Sequence, residues 1–297
     1  MISITVLGTA GMAPTRERNT AGILAQVESE GILFDCGEGI QRQMKIAGIS
    51  VTKVTHILLS HWHGDHVFGL PGLLQSMGAS EYSRILHIFG PKGTKKRFQD
   101  MVRLFGLSSQ LKIKVEDAFS GVIHENRFFT LSAEPLEHDI PCLGYAMKLP
   151  DRRRINLEYT KKIGMKPGPL MGKLQRNQSV EFGGNTVSPK QATYLVEGKK
   201  LAYVTDTSYC NNAVKIADEA DLLIIEASLT SDLKDKADKY NHLTAKQAGL
   251  IAKQANVKEV LLTHFSQRYL DTAPLEEEAK SVFSNSSAAK DFMQITL

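Results

Sequence analysis

Short apolar runs bounded by Gly, Asp or Asn recur along the chain, at 2–8, 22–29, 31–37, 55–60, 84–90, 111–117, 127–136, 144–149, 192–198, 200–206, 221–227 and 259–264. Their richness in β-branched and aromatic residues predicts strands. Between them the apolar positions change to a helical period at 67–79, 93–106, 211–219, 245–256 and 274–284. Strands interleaved with helices in both halves predict a layered α/β chain. The pattern holds no short-period repeat, heptad or low-complexity tract.

Several of these runs end on residues able to bind metal: His61, His138, Asp206 and His264. In layered α/β folds, ligand sites collect where strands end, because loops from distant parts of the chain converge there. The loop after the run 55–60 reads Ser60-His61-Trp62-His63-Gly64-Asp65-His66. Imidazole and carboxylate suit borderline divalent ions, Zn²⁺ foremost, and so dense a set points to two ions rather than one. His61 and His63 reach one ion. Asp65 and His66 turn toward the other, with Gly64 easing the backbone; His138 and His264 complete the two sets, and Asp206 bridges them. His56, His87 and His124 lie inside strand-like runs without clustered partners and are read as structural.

Composition adds limits. A chain of 297 residues, 42% hydrophobic, buries a large core as one domain. Its three cysteines, Cys36, Cys142 and Cys210, are odd in number and far apart, which favours reduced thiols in a cytoplasmic setting. No basic segment followed by an apolar core opens the chain, and no window reaches the roughly 18 apolar residues of a membrane span. The net charge of +4 is unevenly spread. Residues 148–176 carry nine basic and two acidic side chains, leaving the rest of the chain near −3. That stretch includes Lys166-Pro167-Gly168-Pro169, whose Pro and Gly residues are expected to break regular structure, so it reads as an insertion, either a solvated loop with a charge run or an arm that binds a polyanion.

With His138, Asp206 and His264, the loop 60–66 resembles the ligand set of the metallo-β-lactamase superfamily. The stretches 7–20, 33–43, 138–145, 242–249 and 262–269 are similar to the corresponding segments of ribonuclease Z, the endonuclease that trims the 3′ trailer from precursor tRNA. The resemblance runs from end to end. It implies an αββα sandwich of two mixed sheets flanked by helices, in a single domain spanning 1–297, with two divalent ions. It further implies a flexible, protruding basic arm at 150–195 that grips precursor tRNA through Arg152, Arg153, Arg154, Lys161, Lys162, Lys166 and Lys173. A homodimer, in which one subunit's arm holds tRNA for the other's active site, also follows from it. Residues 164–174 are similar to the Gly-Pro motif of many such arms. The chain departs from the family at Gly39-Ile40-Gln41, where members often read Gly-Thr-Gln, and at Leu243, where a small residue is common; neither replaces a ligand.

The chemistry can be rebuilt from the residues. Two divalent ions lower the pKa of water between them and offset the charge that builds on a phosphodiester under attack. Asp65 then serves as ligand and orienter. His242 is read as the proton donor to the departing 3′ oxygen, and Glu226 as the carboxylate that keeps it protonated. The products would be a 3′-hydroxyl on the tRNA and a 5′-phosphate on the trailer. Asp35 and Glu38 are read as bracing the loop rather than acting directly. The competing reading is a small-molecule esterase, lactonase or arylsulfatase-like hydrolase of the same fold, since the metal loop alone does not separate a phosphodiester from an ester. A metal-containing protein that binds nucleic acid without cutting it is a third.

Overall fold

The computed structural model describes residues 1–107 and 111–297. The chain divides into two compact units, one of residues 1–147 and 200–297 and one of residues 148–199. The larger unit is built on two seven-stranded sheets. The first runs Gln294–Thr296, Ser3–Gly8, Gly22–Val27, Glu30–Phe34, His56–Leu58, Ile85–Gly90, Lys112–Asp117. Its first three pairings are antiparallel and the remaining three parallel. The second runs Ser286–Ala288, Val260–Thr263, Leu222–Glu226, Lys200–Val204, Cys142–Lys148, Thr130–Leu136, Gly121–Glu125. It is parallel through its first four strands and ends in an antiparallel hairpin.

Each sheet buries both faces, which explains why its central strands read as unbroken apolar runs rather than alternating ones. One side chain in two points outward to helices. Leu33, Ile57, Leu59 and Ile88 pack with residues of helices Ile40–Ile46, Leu70–Ala79 and Thr94–Phe105. Ala202, Val204, Leu223 and Ile225 pack with those of Asn211–Ala217, Ala245–Gln254 and Ala273–Lys280. The alternate residues meet between the sheets. There Phe34 contacts Tyr203 at 5.3 Å, and the Tyr145 hydroxyl donates to the Leu59 carbonyl at 2.6 Å. This is the αββα sandwich expected from the sequence.

The expected helix at 67–79 is two pieces, Gly64–Val67 and Leu70–Ala79. They part at Gly69, whose N–H donates to the Cys36 carbonyl at 2.9 Å. A Cβ at Gly69 would lie 2.0 Å from the Gly37 carbonyl oxygen, so the loop and the 35–37 turn approach as closely as a bare backbone allows.

Residues 148–199 carry their own small core of Met165, Met171, Leu174, Val180, Val187 and Ala192. Lys166, Pro167 and Gly168 interrupt regular structure as the sequence suggests, but only between two helices, Leu157–Lys162 and Pro169–Gln175. Pro169 opens a helix, Pro169–Gln175, at a position where its missing N–H costs nothing, and Met171 and Leu174 point into the core. Gly183 and Gly184, at φ 58° and 78°, form the two-residue turn between Val180–Phe182 and Asn185–Val187. The Arg152-Arg153-Arg154 run is a strand, Arg152–Ile155, paired with Thr193–Val196. Strand alternation therefore splits it: Arg152 and Arg154 are exposed, while Arg153 is half-buried and donates to Thr193 Oγ1 at 3.2 Å.

Replacing Gly69 with Ala should destabilise the protein by about 1–3 kcal/mol, because the added carbon meets backbone that cannot swing aside. Gly78, inside Leu70–Ala79, has nothing within 4 Å of its virtual Cβ. Gly78→Ala should therefore stabilise by about 0.5–1 kcal/mol through helix propensity. Urea midpoints of the two variants, moving in opposite directions, check both.

Candidate metal centre

Five parallel or near-parallel strands end at one rim, and the residues just beyond them supply the chemistry. Asp35 follows Glu30–Phe34, His61 follows His56–Leu58, Asp206 follows Lys200–Val204, Glu226 closes Leu222–Glu226, and His264 follows Val260–Thr263. Asp35, Asp206 and His264 have positive φ, at 57°, 27° and 57°. For residues with a Cβ this costs about 1–3 kcal/mol each, and such strain persists only where surrounding contacts fix it.

All seven residues read from the sequence as ligands come together. His61 Nε2, His63 Nδ1 and His138 Nε2 lie 3.0 and 3.3 Å apart in sequence, and His61 Nε2 is 3.7 Å from Asp206 Oδ2. On the other side His66 Nε2 and His264 Nε2 are 3.3 Å apart, each 3.3 Å from Asp65 Oδ2. Asp206 Oδ1 lies 3.5 Å from His66 Nε2 and 3.2 Å from His264 Nε2. Asp206 thus gives one oxygen to each group, as a bridging carboxylate does.

The outer nitrogens show which tautomer each ring adopts. Asp35 Oδ2 lies 2.8 Å from His66 Nδ1 and can only accept, so Nδ1 carries the proton and Nε2 keeps its lone pair. The Asn241 carbonyl does the same for His138 Nδ1 at 3.2 Å. The Ser60 hydroxyl donates to Asp35 and accepts from His61 Nδ1 at 2.9 Å. Likewise Ser228 donates to Glu226 at 2.6 Å and accepts from His264 Nδ1 at 3.1 Å. His63 is reversed: Nδ1 faces inward and Nε2 lies 3.7 Å from Asp139 Oδ1. Five imidazoles thus aim a ring nitrogen inward, among the oxygens of Asp65, Asp206 and Asp139. The donor set fits borderline divalent ions.

Charge agrees with this. Burial opposes ionisation of Asp206, but His264, His66 and His61 hold its carboxyl well below the usual range. Burial opposes it in Asp65 too, and His66 and His264 again prevail. Burial and the neighbouring His66 keep His61 well below the usual imidazole range. Burial likewise lowers His138, whereas Asp206, Asp35 and Asp65 overcome burial at His66 and raise it well above the usual imidazole range.

His242 stands beside these groups, its Nδ1 3.0 Å from Glu226 Oε2. Glu226 is fully buried and also accepts from the Thr207 N–H at 2.7 Å and from Ser228. Burial works against the charged form of His242, yet Glu226, helped by Asp206 and Asp65, raises it to about 9. With Nδ1 on Glu226, Nε2 is the nitrogen free to donate a proton.

Asp35 braces the loop as the sequence suggests, whereas Glu38 contributes its backbone carbonyl, which accepts from the Asn19 amide at 2.8 Å and the Thr20 hydroxyl at 3.5 Å. Some contributors were not foreseen. The Met12 N–H donates to Asp65 Oδ2 at 2.7 Å, and a Cβ on Gly11 would strike the His264 ring at 2.7 Å. Asp139, adjacent to His138 in sequence, lies 3.0 Å from its Nε2; that adjacency was the available signal. The basic residues of 148–199 belong to a separate compact unit, and Arg152, Arg154, Lys161, Lys162, Lys166 and Lys173 are exposed. His56, His87 and His124 are the correction: read as strand histidines without clustered partners, they are gathered by the two sheets into a group of their own.

An αββα sandwich with a His/Asp centre at its rim defines a metallo-β-lactamase-fold hydrolase. The pattern of the beta-lactamase superfamily domain matches residues 166–265, and that of the anti-Pycsar protein Apyc1 matches residues 2–134. Ribonuclease Z of Methanothermobacter thermautotrophicus is 36% identical over 99% of this chain and 96% of its own. That of Archaeoglobus fulgidus is 39% identical over 99% and 97%. The crystal structure of human tRNase Z, short form, superimposes with a TM-score of 0.72 at 26% identity, covering 99% and 98% of the two chains. The chain belongs to the ribonuclease Z family.

Asp35→Asn retains the side-chain volume and tolerates the left-handed backbone, but removes one accepting oxygen and the charge opposite His66. Zinc affinity, measured by competition with a chromophoric chelator, should fall by about 10–100-fold, the usual consequence of unsettling a ligand's outer partner.

Proposed function

We infer that this chain is a metal-dependent endoribonuclease that removes the 3′ trailer from precursor tRNA, leaving a 3′-hydroxyl on the tRNA and a 5′-phosphate on the trailer. The observation that carries the reading is identity of 34–39% with ribonucleases Z over nearly the whole chain, with the seven-residue donor set complete. The esterase or lactonase alternative has no comparable support.

His61, His63 and His138 would hold one divalent ion, Asp65, His66 and His264 the other, and Asp206 both; we propose Zn²⁺. When bound there, such ions supply Lewis acidity to a phosphodiester oxygen and an activated water at neutral pH. The remaining work belongs to the protein. Asp65, fixed by the Met12 N–H, orients the attacking water and accepts its proton. As oxygen joins phosphorus, the bond from phosphorus to the tRNA 3′ oxygen breaks, and that oxygen takes the proton from His242 Nε2. Glu226 holds the His242 ring in place and favours its charged form.

The unit 148–199 is proposed as the tRNA-binding arm. Its net charge is +7 in a chain of +4, so the remainder is about −3. The three cysteines are buried and unpaired, which fits a reducing, cytoplasmic setting. Among the described residues no helix is long and apolar enough to cross a membrane. We propose a homodimer, on the family likeness.

His242→Ala should keep its metal content and lose about 10²–10⁴-fold in turnover on precursor tRNA. Its loss on bis-p-nitrophenyl phosphate should be much smaller, because nitrophenolate leaves without a proton. Equal loss on both substrates would remove His242 from the acid role.

Neutralising Arg152, Arg154, Lys161 and Lys162 together should impair precursor-tRNA processing while sparing the small diester. Each lost phosphate contact should flatten the log–log salt dependence of tRNA binding by about 0.7–0.9. Unchanged binding and an unchanged salt slope would make the segment a solvated unit with no part in recognition.

A further inference from the structure

We propose that His56, His87 and His124 form a further metal site, separate from the catalytic centre, that takes one borderline divalent cation such as Zn²⁺. His56 and His87 face each other across two parallel strands, His56–Leu58 and Ile85–Gly90, and His124 comes from the edge strand Gly121–Glu125 of the opposite sheet. Each ring offers one nitrogen, and the three nitrogens lie within 4.8 Å of one another. His56 opens the strand His56–Leu58 and His61 lies three residues beyond its end, and the two groups share no donor.

His56 supplies the second, independent observation. It is 3% exposed, and its Nε2 is buried with no hydrogen-bond partner among the described residues. The Nδ1 side is engaged. Thr55 Oγ1 lies 2.9 Å away and its own hydrogen can go to the Gly31 carbonyl at 3.2 Å, so the hydroxyl accepts from Nδ1–H. Glu30 Oε2, 3.9 Å from Nδ1, favours the same proton position. Nε2 is therefore a bare lone pair taken out of water, a state that costs free energy until a proton or a cation meets it. This is the arrangement of His61, His66, His138 and His264: an acceptor fixes the outer nitrogen and leaves the inner one to bind.

The surroundings keep the donors available. Burial, then the neighbouring His124 and His87, lower His56 to about 3, and burial lowers His87 and His124 as well. All three rings are neutral at neutral pH. Glu30 and Glu116 supply negative charge toward His87 and His124, against Lys114 beside His87 and Arg84, which is paired with Glu30 at 2.7 Å. The site is assembled but not closed. The His56 and His87 rings stack at 5.0 Å with 14° between planes. Tetrahedral zinc at about 2.0–2.1 Å from each nitrogen draws the nitrogens to roughly 3.4 Å apart, so half-buried His87 and His124 must swing inward while His56 stays fixed. A bound ion would clip the edge hairpin of one sheet to the strands of the other.

The test uses the full chain, stripped with chelator and dialysed against Zn²⁺. Zinc per chain is read by emission spectroscopy alongside bis-p-nitrophenyl phosphate hydrolysis. The double variant His87→Asn, His124→Asn should hold one zinc fewer than wild type and hydrolyse the diester at the wild-type rate. Equal zinc in the two proteins overturns the proposal. So does a zinc lost together with activity, which would place the missing ion in the catalytic centre. If circular dichroism shows the double variant unfolded, His124→Asn alone, at the end of an edge strand, must show the same loss.

Discussion

A single buried carboxylate ties the architecture to the site. Asp35 is fully buried, and an ionised carboxylate there would be prohibitively costly without partners. It accepts from the Ser60 N–H at 2.7 Å and from the Ser60 hydroxyl, the His66 ring and the Tyr203 hydroxyl, each at 2.8 Å. Tyr203 belongs to the second sheet, Asp35 follows a strand of the first, and Ser60 and His66 bracket the metal loop. Four donors from three elements therefore meet on one group. The sheets cannot shift against each other, nor the loop against either, without leaving a buried charge unsatisfied.

Glu226 plays the corresponding part on the other side of the centre. One oxygen accepts from the Thr207 backbone, beside Asp206. The other is shared between His242 and Ser228, and Ser228 reaches His264. The residue assigned to proton donation and the residues assigned to metal binding are thus oriented by the same carboxylate. Such shared second partners leave each functional ring one orientation and one tautomer, which preorganises the chemistry before substrate arrives.

The two compact units differ in charge. One carries a slight negative charge and a rigid, doubly covered core; the other carries the excess of positive charge on a small core of its own. Under the function proposed above, the second unit would attract a polyanion by long-range charge and the first would cut it by short-range geometry.

Much of this was legible from local pattern. Buried strands read as apolar runs because both faces are covered, and helices appeared wherever the period changed. The ligand loop announced itself because its donors lie within a few residues, and the strand-end rule located Asp206 and His264. Local reading failed where the decisive partner is distant. Pro169 is a helix breaker in isolation but a helix start once Met171 and Leu174 have a core to enter. The helix 67–79 parts at Gly69 because residues 36 and 37 press against it. His56, His87 and His124 are unremarkable in three separate strands and become a cluster only when two sheets stack. Sequence determines which side chains point to which face, since that follows from the period of each element. Which faces meet, and so which lone pairs and charges must satisfy one another, is decided only by the packing of sheet on sheet.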